Sequence, residues 1–238
     1  MLRDRAGPLT TLEIQGYEIQ YRSHARAILE IDFPDALTEL AQVLTVLTIP
    51  IEEIIASGGG ETKGTQRLRR GLAEKNWVKT RFEIRKTING RQSEAISHEV
   101  DHVRSCSEAG TLALEIEWNN KDPFFDRDLE NFKRLHAEGA ISVGAIVTRG
   151  TALQDSMKSL VSRFLTERSI DTFEDLEPYR VYTTRRQRDT IERRMRRQRN
   201  PLTFQQAWTD HFVSDKYGAA TTHWRKLEGR VHRGVGNP

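Results

Sequence analysis

Apolar positions recur along this chain with two periods, and the points where the period changes mark the elements. Residues 1–12 hold neither period and read as a loose lead-in. Between 17 and 31 the apolar residues come in short runs, and Tyr17, Ile19 and Tyr21 alternate, which predicts a strand. Asp32-Phe33-Pro34 opens a helix, because proline is tolerated in a first turn, and Leu37, Leu40, Ala41, Leu44 and Leu47 continue it. Pro50 stops that helix, and a short one over 51–56 follows. Gly58-Gly59-Gly60 is a flexible connector into Glu61-Thr62-Lys63. It lacks the Gly-Lys-Ser/Thr ending of a phosphate-binding loop. Residues 66–77 then return to helical spacing, with Leu68, Leu72 and Ala73 on one side.

Residues 81–88 alternate through Phe82, Ile84, Lys86 and Ile88, and Asn89-Gly90 is a strong hairpin signal, so a return segment runs towards Val103. Residues 111–118 read as a strand. Residues 126–138 form an amphipathic helix, with Leu129, Phe132, Leu135 and His136 at turn spacing and Gly139 as its stop. Residues 141–147 are a small, apolar strand of buried type. Strand, helix and strand in that order predict a parallel crossover unit. A helix over 151–168, a polar Arg-rich stretch over 170–202 and two shorter helices near 204–212 and 221–230 complete the chain. The fold class is α/β, with a central mixed β-sheet flanked by helices. We expect a single domain over 1–238, with residues 170–205 as a basic excursion.

Composition narrows the setting. With 238 residues, 37% hydrophobic and 30% charged, the chain is of globular type and long enough to bury a core. The single cysteine, Cys106, excludes an internal disulfide framework and suits a reducing compartment, so a cytoplasmic location is expected. No apolar run approaches the ~20 residues of a membrane helix, so no membrane partner is expected, and the basic start lacks the apolar stretch of a cleaved signal. The net charge of +3 is unevenly placed: residues 180–199 hold nine arginines against Asp189 and Glu192, a net +7, leaving the rest acidic. One basic segment on an acidic body suits a polyanion, although a solvated helix face would carry the same charges.

The chemistry centres on Leu114-Glu115-Ile116-Glu117-Trp118. Side chains alternate along a strand, so Glu115 and Glu117 share one face while Leu114, Ile116 and Trp118 share the other. Two neighbouring carboxylates repel unless they meet water or share a cation, and a hard ion such as Mg²⁺ takes oxygen ligands. Asp101 lies upstream on the hairpin return. An Asp followed by Glu-x-(Glu/Lys/Gln) on the next strand is the layout of metal-dependent phosphodiester cleavage, in which the metal polarises the phosphoryl oxygen and acidifies the attacking water.

The run over 112–149 resembles type II restriction endonucleases of the BglII/BamHI branch of the PD-(D/E)xK superfamily. Phe33-Pro34-Asp35-Ala36, Gly58-Gly59-Gly60-Glu61-Thr62-Lys63 and Thr221-Thr222-His223-Trp224 with Lys226-Leu227 fit the same branch. The resemblance implies a restriction-endonuclease-like core and site-specific, Mg²⁺-dependent cleavage of double-stranded DNA, with Mn²⁺ as a substitute. It implies a homodimer on a palindrome and a cognate DNA methyltransferase. It makes Asp101 and Glu115 metal ligands together with the backbone carbonyl of Ile116. Glu117 takes a position that is lysine in much of the superfamily. A carboxylate there can accept a proton or hold a second metal but supplies no positive charge, and Lys121 is a candidate substitute cation. DNA contacts are expected at Lys63, Asn119, Asn120, Lys121, Arg149, Arg185, Arg186, Thr222, His223, Trp224 and Arg225.

Two other readings remain open on the sequence. One is a DNA-binding protein that kept the fold and lost the chemistry. The other uses His98-Glu99-Val100-Asp101-His102, a formal H-E-x-x-H, which on a helix would set two histidines one turn apart for zinc and peptide hydrolysis. On a strand, His98, Val100 and His102 would face one way and Glu99 and Asp101 the other.

Overall fold

The computed structural model describes residues 7–58, 60–106 and 108–234. Gly59, Ser107, the first six residues and the tail from 235 lie outside the described residues. By contacts, the chain gathers into two compact units. One comprises residues up to 47, 65–150 and those from 222 onward; the other comprises 48–64 and 151–221.

The first unit holds the sheet. Its strands are β1 (Val78–Ile88), β2 (Arg91–Cys106), β3 (Gly110–Glu117) and β4 (Val143–Thr148), in that spatial order. The hairpin is the one expected from Asn89-Gly90: both residues take positive φ, 49° and 75°, as a primed turn requires. β2 also pairs antiparallel with β3, and β3 pairs parallel with β4. The crossover between β3 and β4 is the helix Pro123–Ala137, so the expected strand–helix–strand unit is present. The class is mixed α/β, a four-stranded mixed sheet flanked by helices.

The start of the chain differs from expectation. Pro8 opens a helix, α1 (Pro8–Ile14), where a loose lead-in was expected. Residues 17–21 form no strand, and a second helix, α2 (Ala25–Ile31), follows. The alternation of Tyr17 and Ile19 instead serves packing: both lie against the cluster of Leu12, Phe33 and Leu44, and the Tyr17 hydroxyl donates to the Leu44 carbonyl at 2.9 Å. The next helices, α3 (Pro34–Thr45), α4 (Ile51–Ile55) and α5 (Lys63–Ala73), stand close to where the spacing puts them.

Two layers cover the sheet in this unit. Leu112, Leu114 and Ile116 of β3, with Val143, Ala145 and Val147 of β4, pack with α3 and α5 residues such as Leu44, Leu68 and Leu72. On the other face, Ala113 and Ile146 pack with Phe132 and Leu135 of the crossover helix, which is α6. A final helix joins this unit. This is α10 (Trp224–His232).

The second unit is helical. α4, α7 (Thr151–Glu167), α8 (Arg185–Met195) and α9 (Phe204–Lys216) enclose Met157, Val161, Leu165, Leu176, Ile191 and Trp208. The Arg-rich stretch thus contains a regular helix, and its start carries a capping box. Thr184 and Gln187 satisfy each other's turn, as Thr203 and Gln206 do for α9. No helix among the described residues is long and apolar enough to cross a membrane.

Candidate active site

The candidate site lies at one end of β2 and β3, within the first unit. β2 pairs with β3 through His102↔Leu114 and Val103↔Ala113, so one more step along the ladder sets Asp101 beside Glu115. The Asp101 amide donates to Glu115 Oε1 at 3.4 Å. The other edge of β2 is irregular here. Val78 faces Val103 but Thr80 faces Val100, so two residues of β1 advance against three of β2. This bulge breaks the alternation: His102 and Val103 are consecutive buried residues, and Val100 and Val103 join one cluster. Bulges re-aim side chains, and this one falls at Asp101, the residue the sequence singles out.

Asp101 is half exposed and meets Lys79 Nζ at 3.2 Å, an ammonium it shares with Glu99. Glu115 and Glu117 are buried, at 6% and 3% exposure, under α6. Burial pushes the Glu115 carboxyl up to about 8, and the nearby charges of Asp101 and Asp128 add to it. Burial also raises Glu117, against a hydrogen bond from Asn120 Nδ2 to its Oε2 at 2.7 Å.

The sequence reading missed Asp128. It sits on α6 and is 2% exposed, with its carboxyl raised by burial. Arg127 reaches Asp128 Oδ1 through Nε at 2.8 Å and Nη2 at 2.7 Å, and lies 3.7 Å from Glu117 Oε1. Asp128 Oδ2 is buried without a hydrogen-bond partner, while Glu117 and Asp128 are within side-chain reach of each other. A signal was present: Phe125, Asp128, Phe132 and Leu135 follow helical spacing, so Asp128 is a carboxylate on an apolar stripe.

A loop scaffold holds this corner. Arg149 is 1% exposed and donates from Nη1 to the Trp118 carbonyl at 2.7 Å. The Thr222 amide donates to the Asn120 carbonyl and the Trp224 amide to the Arg149 carbonyl. Arg230 of α10 pairs with Asp126 at 2.8 Å and Asp122 at 3.3 Å, fastening the start of α6. Of the residues expected to meet DNA, Arg149, Thr222 and His223 are therefore interior. Lys63, Asn120, Lys121, Arg185, Arg186 and Arg225 are exposed, and Asn119 and Trp224 half-buried.

The donors are right in kind for a hard cation, all oxygen, with two buried carboxylates lacking full compensation. Among the described residues, no three His, Cys, Asp or Glu side chains converge on one point. A set of two side chains and a carbonyl, as expected from Asp101, Glu115 and Ile116, does not need three. The helical zinc arrangement is not formed: residues 91–106 are one strand, His98 Nε2 meets Arg134 Nη1 at 3.3 Å, and His102 is buried.

A family model described as restriction endonuclease BglII/BglIII matches residues 17–238. No curated protein and no solved structure gives a significant match to the chain.

Proposed function

We propose a specific chemistry for this chain, which belongs to the BglII/BglIII restriction endonuclease family and is a type II site-specific deoxyribonuclease. The reaction is hydrolysis of phosphodiester bonds in double-stranded DNA with Mg²⁺, for which Mn²⁺ substitutes. The carboxylates of Asp101 and Glu115 and the carbonyl of Ile116 would hold the ion, which supplies Lewis acidity at the scissile phosphate and a more acidic water. What supports this reading above all is the place of Asp101 beside buried Glu115, whose Oε1 accepts from the Asp101 amide at 3.4 Å, so that two acidic residues from separate strands stand side by side.

This chain's own residues do the rest. Asp101 turns from Lys79 towards Glu115. Glu117, fixed by Asn120, orients the attacking water and accepts its proton. Exposed Lys63, Lys121, Arg185, Arg186 and Arg225 meet phosphates, with Asn119 and Trp224 beside them, while Arg149, Thr222 and His223 act by holding the loop they pack on. Residues 1–238 work as one nuclease domain, with 170–205 as its basic DNA-contacting segment. A homodimer acts on a palindromic site, as two-fold protein matches two-fold DNA, in a cytoplasm that also holds a cognate methyltransferase.

The test is plasmid cleavage in Mg²⁺ by the wild type and by Glu115→Ala. Discrete fragments from the wild type and none from the variant are expected. Undiminished cutting by the variant would overturn the assignment.

A further inference from the structure

α8 has two faces with different surroundings. Its inner face is spent on the helical unit. Ile191 is wholly buried in that core, and Arg188 lies over the Phe173 ring at 4.8 Å while donating to Thr183 and Glu174. The Thr184–Gln187 capping box fixes the first turn. The helix is therefore held from behind.

At 3.6 residues per turn, the positions opposite Ile191 are 186, 189, 193 and 196. Arg186, Asp189, Arg193 and Arg196 are all exposed, so Asp189 stands within an outward row of arginines. Among the described residues, nothing pairs with its carboxylate. Arg193, one turn on, bypasses it: Nε donates to the Asp189 backbone carbonyl at 3.2 Å and Nη2 to the Thr190 hydroxyl at 3.3 Å. The other acid of α8, Glu192, lies to the side of the row and accepts from Arg196 at 3.2 Å.

An acid in this position separates two ways of meeting DNA. Laid along a strand, the row would press Asp189 against phosphates, and like charges repel. Laid in the major groove, which is wide enough for a helix, the row sets its arginines against phosphates and guanine edges, and Asp189 faces base edges. There an aspartate accepts from the exocyclic amino group of cytosine, a donor that no phosphate offers.

We propose that α8 enters the major groove and that Asp189 is a specificity-determining residue, accepting from the N4 amino group of a cytosine in the recognised sequence. The proposal rests on the DNA-cleaving reading above and names a base-reading residue within it. Asp189 takes no part in the cleavage chemistry.

The experiment uses the full chain to select duplexes from a randomised pool in Ca²⁺, and the bound pool is sequenced. The wild type should enrich one sequence with at least one fixed C·G pair. Asp189→Ala should enrich the same sequence with one such pair relaxed, together with its symmetry mate. It should bind the cognate duplex about 10-fold more weakly. Its binding to unrelated duplex should be no weaker, since a negative charge has gone. Glu192→Ala makes the same charge change beside the row and should keep the wild-type preference. An unchanged preference in Asp189→Ala overturns the proposal, and so does relaxation at an A·T pair. The same relaxation in Glu192→Ala also overturns it, since charge alone would then be acting. A wild type that enriches no sequence removes the site-specific reading as well. A wild type that enriches a sequence and cuts it in Mg²⁺, beside an Asp189→Ala of unchanged preference, leaves that reading standing and overturns only this one.

Discussion

The backbone amide of Asp101 donates to the carboxylate of Glu115 at 3.4 Å, across the ladder that joins β2 to β3. This hydrogen bond and the charge of Arg127 favour the ionised acid. Burial and the charges of Asp101 and Asp128 outweigh them and push Glu115 up to about 8 from an ordinary 4.5.

A pH dependence of stability follows from that shift. Between about 4.5 and about 8 the folded chain holds a proton on Glu115 that the unfolded chain has released. The contribution is therefore full below the lower value and is lost as pH rises through the upper one. Urea unfolding of metal-free protein at pH 5 and pH 8 should show the wild type weaker at pH 8. Glu115→Gln should flatten that difference and raise stability at pH 8 by on the order of a few kcal/mol. An equal slope in both proteins would contradict the buried, uncompensated state of Glu115.

Gly144 tests how tightly α6 is seated. A Cβ there would stand 2.5 Å from two ring carbons of Phe132, and Phe132 is buried against the sheet. Gly144→Ala should cost about 1–3 kcal/mol in chemical denaturation, because neither the strand nor the ring can withdraw freely. A change below about 0.5 kcal/mol would mean that α6 shifts at little cost.

Arg230 tests the clamp. Its side chain is 9% exposed and its guanidinium spans Asp126 and Asp122. Arg230→Leu should lose about 2 kcal/mol of stability, below the full cost of a buried pair because Asp126 is half exposed and Asp122 retains Lys226 at 3.5 Å. Arg230→Lys should recover only part, since an ammonium lacks the fork that serves two carboxylates. Cleavage assays on both should show slower cutting, as α6 carries Arg127 and Asp128.

The arginines of the basic segment divide by what they already touch. Arg188 stacks on Phe173 at 4.8 Å and bonds Thr183 and Glu174, so Arg188→Ala should mainly lower stability. Arg185 and Arg186 are exposed on the first turn of α8. If each neutralises one phosphate, replacing either by Ala should reduce the slope of log K against log salt by about 0.9, measured by DNA binding in Ca²⁺. An unchanged slope for both would place the DNA elsewhere.

Periodicity and turn chemistry carried most of the architecture. The 3.6-residue spacing of Leu37 to Leu44, the Asn89-Gly90 turn and the strand–helix–strand run into β4 are local signals that tertiary packing did not override. Residues 17–21 misled, because alternating aromatics that plug a neighbouring helix look like a strand when the partner is unseen. The shared face of Glu115 and Glu117 was legible because strand alternation is a covalent property of extended chain. Only the tertiary structure decided three things: that Asp101 comes alongside Glu115, through pairing across 14 residues and a bulge; that Arg149, Thr222 and His223 turn inward; and that Asp128 joins Glu117. Each depends on which surfaces dock, and docking sums many weak contacts between segments far apart in the chain, a quantity no local window contains.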